Sequence, residues 1–341
     1  MQSPVRACRT APSPAAGGAP LLEGIVVVVG LRESARETGT VARIEVSGPP
    51  DAPAVLVLGG ISADRHVCAS PADLRGGWWE GVAGPGRALD AKTFRVIGCD
   101  FVDGGAAADG RPATIVTTHD QAACIARALD DAGIECLHAI VGASYGGMVA
   151  LAFAETYPER VERLIIIGAA HRANPLTTAF RSVQRSIVEA GLDSGRAREA
   201  MITARALATA TYRSAREFAG RFDAAPSTTG ERTATFPVER YLRHQGEKFA
   251  ARFTPARFLA LSLSTDLHAV NPAAIETPAV LVAAEGDMIV PRDDVDELAR
   301  TIAGPVTVCE IAGVHGHDAF LTEPAQVSEI IAAGLLLPTF S

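Results

Sequence analysis

With 341 residues, 48% of them hydrophobic and 21% charged, the chain is long enough for one α/β domain of ordinary size plus an insertion. A formal net charge of -8 and the lack of any Lys/Arg-rich run argue against a nucleic-acid surface, so an anionic ligand has to be met locally. Six scattered cysteines without CxxC spacing (Cys8, Cys68, Cys99, Cys124, Cys136 and Cys309) read as reduced packing residues in a cytoplasmic protein, and not as a disulfide framework or zinc site.

The first twenty residues are rich in Pro, Ala and Gly and are expected to be a disordered tail. Two arginines precede the apolar run Ile25 to Val29, but Glu23 and the prolines spoil a signal-peptide reading, and the run is too short to span a bilayer. No internal repeat is apparent. Apolar stretches follow at residues 24–31, 41–47, 54–60, 94–100, 137–143, 163–169, 279–287 and 306–312. From the third onward helix-like segments such as THDQAACIARALDDAGI separate them, which predicts a mostly parallel sheet covered on both faces. The first two are closely joined and predict an antiparallel start. Between 172 and 273 the pattern is helical throughout, with no convincing buried strand, and is expected to form a lid over a core made of 21–171 and 274–341.

The stretch IVGASYGGMVAL, residues 140–151, is a strand, a sharp turn and a helix with the spacing GxSxG, which presents Ser144 at the C-terminal edge of a sheet. Gly142 and Gly146 leave room for the strained serine backbone. A serine nucleophile needs a base and an acid, and in this architecture they follow in the order Ser, Asp/Glu, His at later strand ends. Asp287, after AVLVAAEG, is the acid candidate, with Glu285 as rival. His317, in VHGHDAF, is the base candidate, with His315 as competitor. Asp293 and Asp294 read as caps of the next helix. His315 and His317 lack a third ligand nearby, so no metal site is expected. The oxyanion hole is expected from the amide of Tyr145 and, in LGGISADRH, the amide of Ile61.

These residues resemble the homoserine O-acyltransferase family, built on the α/β-hydrolase fold. The resemblance covers about residues 54–330 and is weakest in the lid. It rests on GGWWEGVAGPGRALDAKTFRVIGCD, on VGASYGGMVALAFAETYPERV with the helix before it, and on GHDAFLTE. It implies Ser144 as acyl acceptor with Asp287 and His317 as partners, Asp318 as the anchor of the substrate's amino group, and Arg205 as the anchor of its carboxylate. It also implies ping-pong transfer from acyl-CoA to homoserine in methionine biosynthesis, with no permanently bound cofactor, no membrane or nucleic-acid partner, and a homodimer. Ile289 falls where succinyl-using members have Arg and acetyl-using members an aliphatic residue, so acetyl-CoA is favoured over succinyl-CoA unless Arg292 or Arg65 supplies the charge. LGGISADRH resembles relatives that acylate serine, and a serine esterase on the same fold is the remaining alternative. The chain departs from the family in Ala143 and Tyr145 beside the serine and in a short loop after Asp100.

Overall fold

The computed structural model describes residues 24–29 and 41–336 of the chain; the expected tail, 1–20, lies outside the described residues. Ten strands and ten helices are described: β1 Gly24–Val29, β2 Val41–Ser47, β3 Ala54–Leu58, β4 Arg95–Cys99, α1 Thr118–Asp131, β5 Ala139–Ala143, α2 Tyr145–Thr156, β6 Leu164–Ile167, α3 Pro175–Asp193, α4 Ala197–Tyr212, α5 Ala215–Arg221, β7 Thr228–Thr229, β8 Ala234–Thr235, α6 Pro237–Ala250, α7 Pro255–Asp266, β9 Ala279–Ala284, α8 Arg292–Thr301, β10 Val306–Ile311, α9 Ala319–Thr322 and α10 Pro324–Leu335.

Eight strands form one sheet in the order β1-β2-β4-β3-β5-β6-β9-β10. The first two pair antiparallel, β2 is antiparallel to β4, and every later pair is parallel. All eight coincide with the apolar runs of the sequence; β4, β5 and β6 are buried at every residue, as expected of strands covered on both faces, whereas β2 alternates, with Ala42, Ile44 and Val46 buried and Arg43 exposed, and β10 buries only Ile311. Successive residues feed opposite layers: Leu56 and Leu58 join one apolar cluster with Ile140 and Ile166, while Val55 and Val57 join another with Val141 and Ile167. Helix α1 begins at a capping box in which Thr117 and Asp120 satisfy each other's backbone amides, and it packs on α2. Helix α2 is buried along Tyr145–Ala154, which explains why its sequence is apolar all round.

Between β6 and β9 the chain leaves the sheet for α3 to α7, and the only strands there are the exposed two-residue hairpin β7/β8. The C-terminal ends of β3, β5, β9 and β10 all point to the same edge, beneath that helical excursion. Cys68, Cys99, Cys124 and Cys309 carry thiols, not disulfides. Burial pushes the Cys68 thiol up to about 11 and the Cys124 thiol to about 12, so both stay protonated and inert.

Candidate active site

Ser144 sits at φ 54° and ψ -122°, the only positive φ of a non-glycine residue among those described. The flanking glycines hold it there by permitting contact that no side chain allows: a Cβ on Gly142 would lie 2.5 Å from the carbonyl oxygen of Gly146, and one on Gly146 would lie 2.3 Å from that of Leu58. The turn therefore packs backbone on backbone, and its strain is held by the sheet on one side and the buried α2 on the other.

Ser144 Oγ lies 2.8 Å from His317 Nε2, and His317 Nδ1 lies 2.8 Å from Asp287 Oδ2. With Asp287 ionised, Nδ1 must carry the proton and donate it, which leaves Nε2 free to accept from the serine hydroxyl. The other carboxylate oxygen of Asp287 accepts from the amides of Ile289, at 2.7 Å, and Val290, at 3.0 Å, so the acid is fixed in position. His317 is 5% exposed and lies between the rings of Tyr212 and Phe320. Burial on its own would lower its proton affinity, but the Asp287 carboxylate outweighs that and holds His317 above the usual histidine range. The two rivals are engaged elsewhere: Glu285 accepts from the Gly313 amide at 2.9 Å, and His315 Nδ1 lies 3.1 Å from Glu217.

The amides of Tyr145 and Ile61 have no hydrogen-bond partner among the described residues. Both residues line the cavity that holds Ser144, and the loop after β3 is tied to the turn by a 2.9 Å bond from the Gly146 amide to the Gly59 carbonyl. The cavity measures about 520 Å³ and is also lined by Arg181, Gln184, Arg205, Ile289 and Asp318. Arg205, on α4, lies with its guanidinium carbon 4.7 Å from the centre of the Phe249 ring and 5.2 Å from that of Tyr212. Asp318 meets a cation of the protein itself: Arg213 Nε is 2.8 Å from Asp318 Oδ2, close enough for an ion pair though not aligned as a hydrogen bond. Asp294 caps no amide; it lies in the first turn of α8, as does Asp293, and accepts from Asn174.

Neither cation that the sequence offered as a substitute at Ile289 lines this cavity. Arg292 bonds Asp296 and Glu310, and Arg65 bonds Asp100. Arg181 does line it, and sequence reasoning missed Arg181 because a charge on a helix face looks solvated until its facing helix is known. The turn between α4 and α5 was missed as well. There Ser214 Oγ donates to the Val314 carbonyl, and Glu217, 8% exposed, accepts from Arg213 and Arg221 on its own helix turn and faces His315. A Cβ on Gly316 would lie 3.1 Å from the Tyr212 carbonyl and 3.2 Å from the Ser214 amide, so this turn and the histidine loop are in direct backbone contact. Among the described residues no cluster of three or more His, Cys, Asp or Glu is arranged to hold a metal ion, and no helix is long and apolar enough to cross a membrane.

A strained serine at a strand-to-helix turn, with its acid and base at later strand ends of a mostly parallel sheet, defines the α/β-hydrolase fold, and residues 53–324 match the model of that fold family. The homoserine O-succinyltransferase of Xanthomonas campestris pv. campestris is 39% identical over 293 residues, which cover 86% of this chain and 78% of the relative. The homoserine O-acetyltransferase of Thermus thermophilus is 34% identical over 321 residues, covering 83% of this chain and 81% of the relative. The solved homoserine O-acetyltransferase from Bacillus anthracis superposes with a TM-score of 0.80 at 17% identity, covering 93% of this chain and 98% of that one, which bears on the fold. The chain belongs to the homoserine O-acyltransferase family and is an acyltransferase.

Proposed function

We propose that the protein transfers an acyl group from acyl-CoA to the hydroxyl of homoserine by a ping-pong route through Ser144. Nε2 of His317 takes the serine proton as Oγ attacks the thioester carbonyl, and the amides of Tyr145 and Ile61 receive the developing oxyanion. Collapse expels CoA as its thiol, with the proton returned from His317. Homoserine then enters, and its hydroxyl gives its proton to His317 as it attacks the acyl-serine carbonyl; collapse breaks the bond to Ser144 Oγ, which takes the proton back from His317 and releases the O-acyl product. The excursion 172–273 acts as the lid that keeps water from competing at that second step.

The observation that carries this reading is the relay of two 2.8 Å contacts from Ser144 through His317 to Asp287 at the floor of a cavity whose walls hold both Arg205 and Asp318. A free amino acid presents one anion and one cation, and those two side chains match it in charge. Arg205 is stacked on rings and Asp318 borders Arg213, so binding would recruit a guanidinium with free donors and a carboxylate shared between two cations. Acetyl-CoA and succinyl-CoA are both within the reading as donors, and the protein is expected to act as a cytoplasmic homodimer. The test is CoA release by the purified protein with each donor and homoserine, serine or no acceptor. Release that depends on homoserine supports the proposal, and release at the same rate without an acceptor would convert it to a hydrolase.

A further inference from the structure

The long loop after β3 carries the amide of Ile61 and forms one wall of the catalytic cavity, with Ala63, His66, Gly77 and Trp78 also lining it. Its two arms fold on each other. The Trp78 amide donates to the His66 carbonyl at 3.2 Å and the Trp79 amide to that of Val67 at 2.9 Å, while the Trp78 ring nitrogen donates to the Asp64 carbonyl at 3.1 Å. A Cβ on Gly59 would lie 2.8 Å from the Trp78 ring, so the returning arm rests against the start of the leaving one.

Two side chains fasten this loop to the rest of the fold. Arg65 bonds Asp100 through its amide, at 2.9 Å, and through its guanidinium, at 2.6 Å. His66, 7% exposed, reaches β2: its Nδ1 lies 2.9 Å from Glu45 Oε1, and its Nε2 lies 2.7 Å from the Arg75 carbonyl on the other arm. A carbonyl oxygen only accepts, and so does an ionised carboxylate, so both ring nitrogens must carry protons for both contacts to be bonds. A neutral imidazole has one proton to give and in either tautomer would turn a lone pair on an oxygen. The charged groups facing the ring are Glu45 from β2 and, from the loop itself, Asp73, 4.0 Å from Nδ1, and Asp64, which accepts from the His66 amide at 2.9 Å. The Arg75 guanidinium is engaged by both oxygens of Asp73. Burial on its own would lower the proton affinity of His66, but the Arg75 carbonyl and the Glu45 carboxylate outweigh it and hold the ring above the usual histidine range.

We propose that His66 is a positioning residue for the oxyanion hole: as an imidazolium bridging Glu45 and the Arg75 carbonyl, it fixes the loop that presents the Ile61 amide beside Ser144. Loss of either ring proton replaces one of the two bonds with a repulsive contact and loosens the loop, so acylation slows at alkaline pH. This rests on the acyl-transfer reading above only in taking the Ile61 amide as an oxyanion donor.

The experiment measures acylation of Ser144 by p-nitrophenyl acetate as single-turnover release of p-nitrophenol, with the full chain in excess over the ester. It runs from acid to alkaline pH for the wild type, E45Q and H66Q, alongside thermal unfolding. Neither an acceptor nor CoA is present, so their own ionisations do not enter. The wild-type rate is expected to rise through the limb set by His317 and then to fall by about 10- to 100-fold through a second limb, less than the loss of an oxyanion donor outright. E45Q keeps the shape and removes the charge, and its alkaline limb is expected about 1 pH unit or more lower, the scale on which a neighbouring carboxylate raises a histidine. H66Q has no proton to lose and is expected to show the lowered rate with no alkaline limb. Stability follows the same proton: the His66 contribution is present below the unfolded value and is lost as pH rises through the folded one, in the wild type and not in H66Q. A merely structural clamp would lower the unfolding midpoint of E45Q without moving its limb, and that result overturns the proposal. An alkaline limb retained in H66Q overturns it too, as does a wild type that shows none, whether or not the variants fold. Release of p-nitrophenol that Ser144→Ala does not abolish removes the acyl-serine reading itself, and this assignment with it. A finding that acyl-CoA is consumed equally fast without homoserine would make the protein a hydrolase and leave the role of His66 standing.

Discussion

The C-terminal edge of the sheet and the helical excursion above it hold their side chains by different means. At the edge, Ser144, Asp287 and His317 stand on turns fixed by backbone contacts and apolar layers, with Gly142, Gly146 and the amides of Ile289 and Val290 as supports. In the excursion an apolar cluster of Val188, Met201, Ala204, Phe249, Phe258 and Leu259 holds the helices together, and the polar side chains are set by charges that bond one another: Arg181 and Arg185 on Asp266, and Arg213 and Arg221 on Glu217. Apolar packing tolerates little substitution and gives a fixed geometry. Charged contacts between helices can be rearranged with little change in the backbone. The comparison teaches that the Ser144–His317–Asp287 relay stands on the part fixed by backbone contacts, while Arg181, Gln184 and Arg205, the excursion's share of the cavity wall, stand on the part whose polar side chains can be exchanged.

Replacing Ser144 with Ala is expected to break the edge alone, lowering kcat by about 10⁴-fold or more while leaving the protein folded, since members of such a relay act as a unit. Single-turnover CoA release would read this directly, and a burst that persists in Ser144→Ala would remove Ser144 as the acyl carrier. Asp318→Asn sits where edge and excursion meet. Its homoserine KM is expected to rise by about 10- to 100-fold, more than its kcat falls, the range for losing a charge-assisted contact. Equal damage to the KM of homoserine and of the donor would count against an anchor specific to the ammonium. Glu217→Gln loosens the excursion without touching the relay. About a 10-fold fall in kcat with an unfolding midpoint lower by a few degrees is expected, and an unchanged kcat would uncouple the α4–α5 turn from the histidine loop.

The smallest effect concerns pH. His317 acts as a base only when neutral, and its folded value lies above the ordinary 6.5, so the acid limb of kcat/KM is expected to have its midpoint above that value. Stability should run the opposite way. The contribution of the His317–Asp287 pair is fully present below the unfolded value and is lost as pH rises through the folded one. A pH-rate profile with its midpoint below 6.5 would contradict the geometry of the pair.

The same division explains what the sequence made legible. Strands buried on both faces write themselves as runs such as AVLVLG and LIIIG, and GxSxG is readable because only glycine fits its two flanking positions. Asp287 and His317 were readable from their place after such runs. Their rivals were eliminated only by contacts that span the fold, Glu285 to Gly313 and His315 to Glu217. Arg181, Gln184 and Glu217 carry no local signal. An arginine facing Asp266 from 85 positions away reads in the sequence like any arginine on a polar helix face. The charge that Arg181 brings to the cavity wall is invisible for the same reason.

The seat of Gly316 against the backbone of Tyr212 and Ser214 bears on how far this architecture is modular. A shortened protein, trimmed to its bare sheet and flanking helices, would expose the underside of the very segment that carries His317. Grafting a foreign cap in place of the native one would face the same obstacle, since the newcomer must reproduce a main-chain fit as well as a substrate wall. Exchange of the five helices as a block is therefore expected to silence the enzyme, whereas point changes on α3 leave that joint untouched.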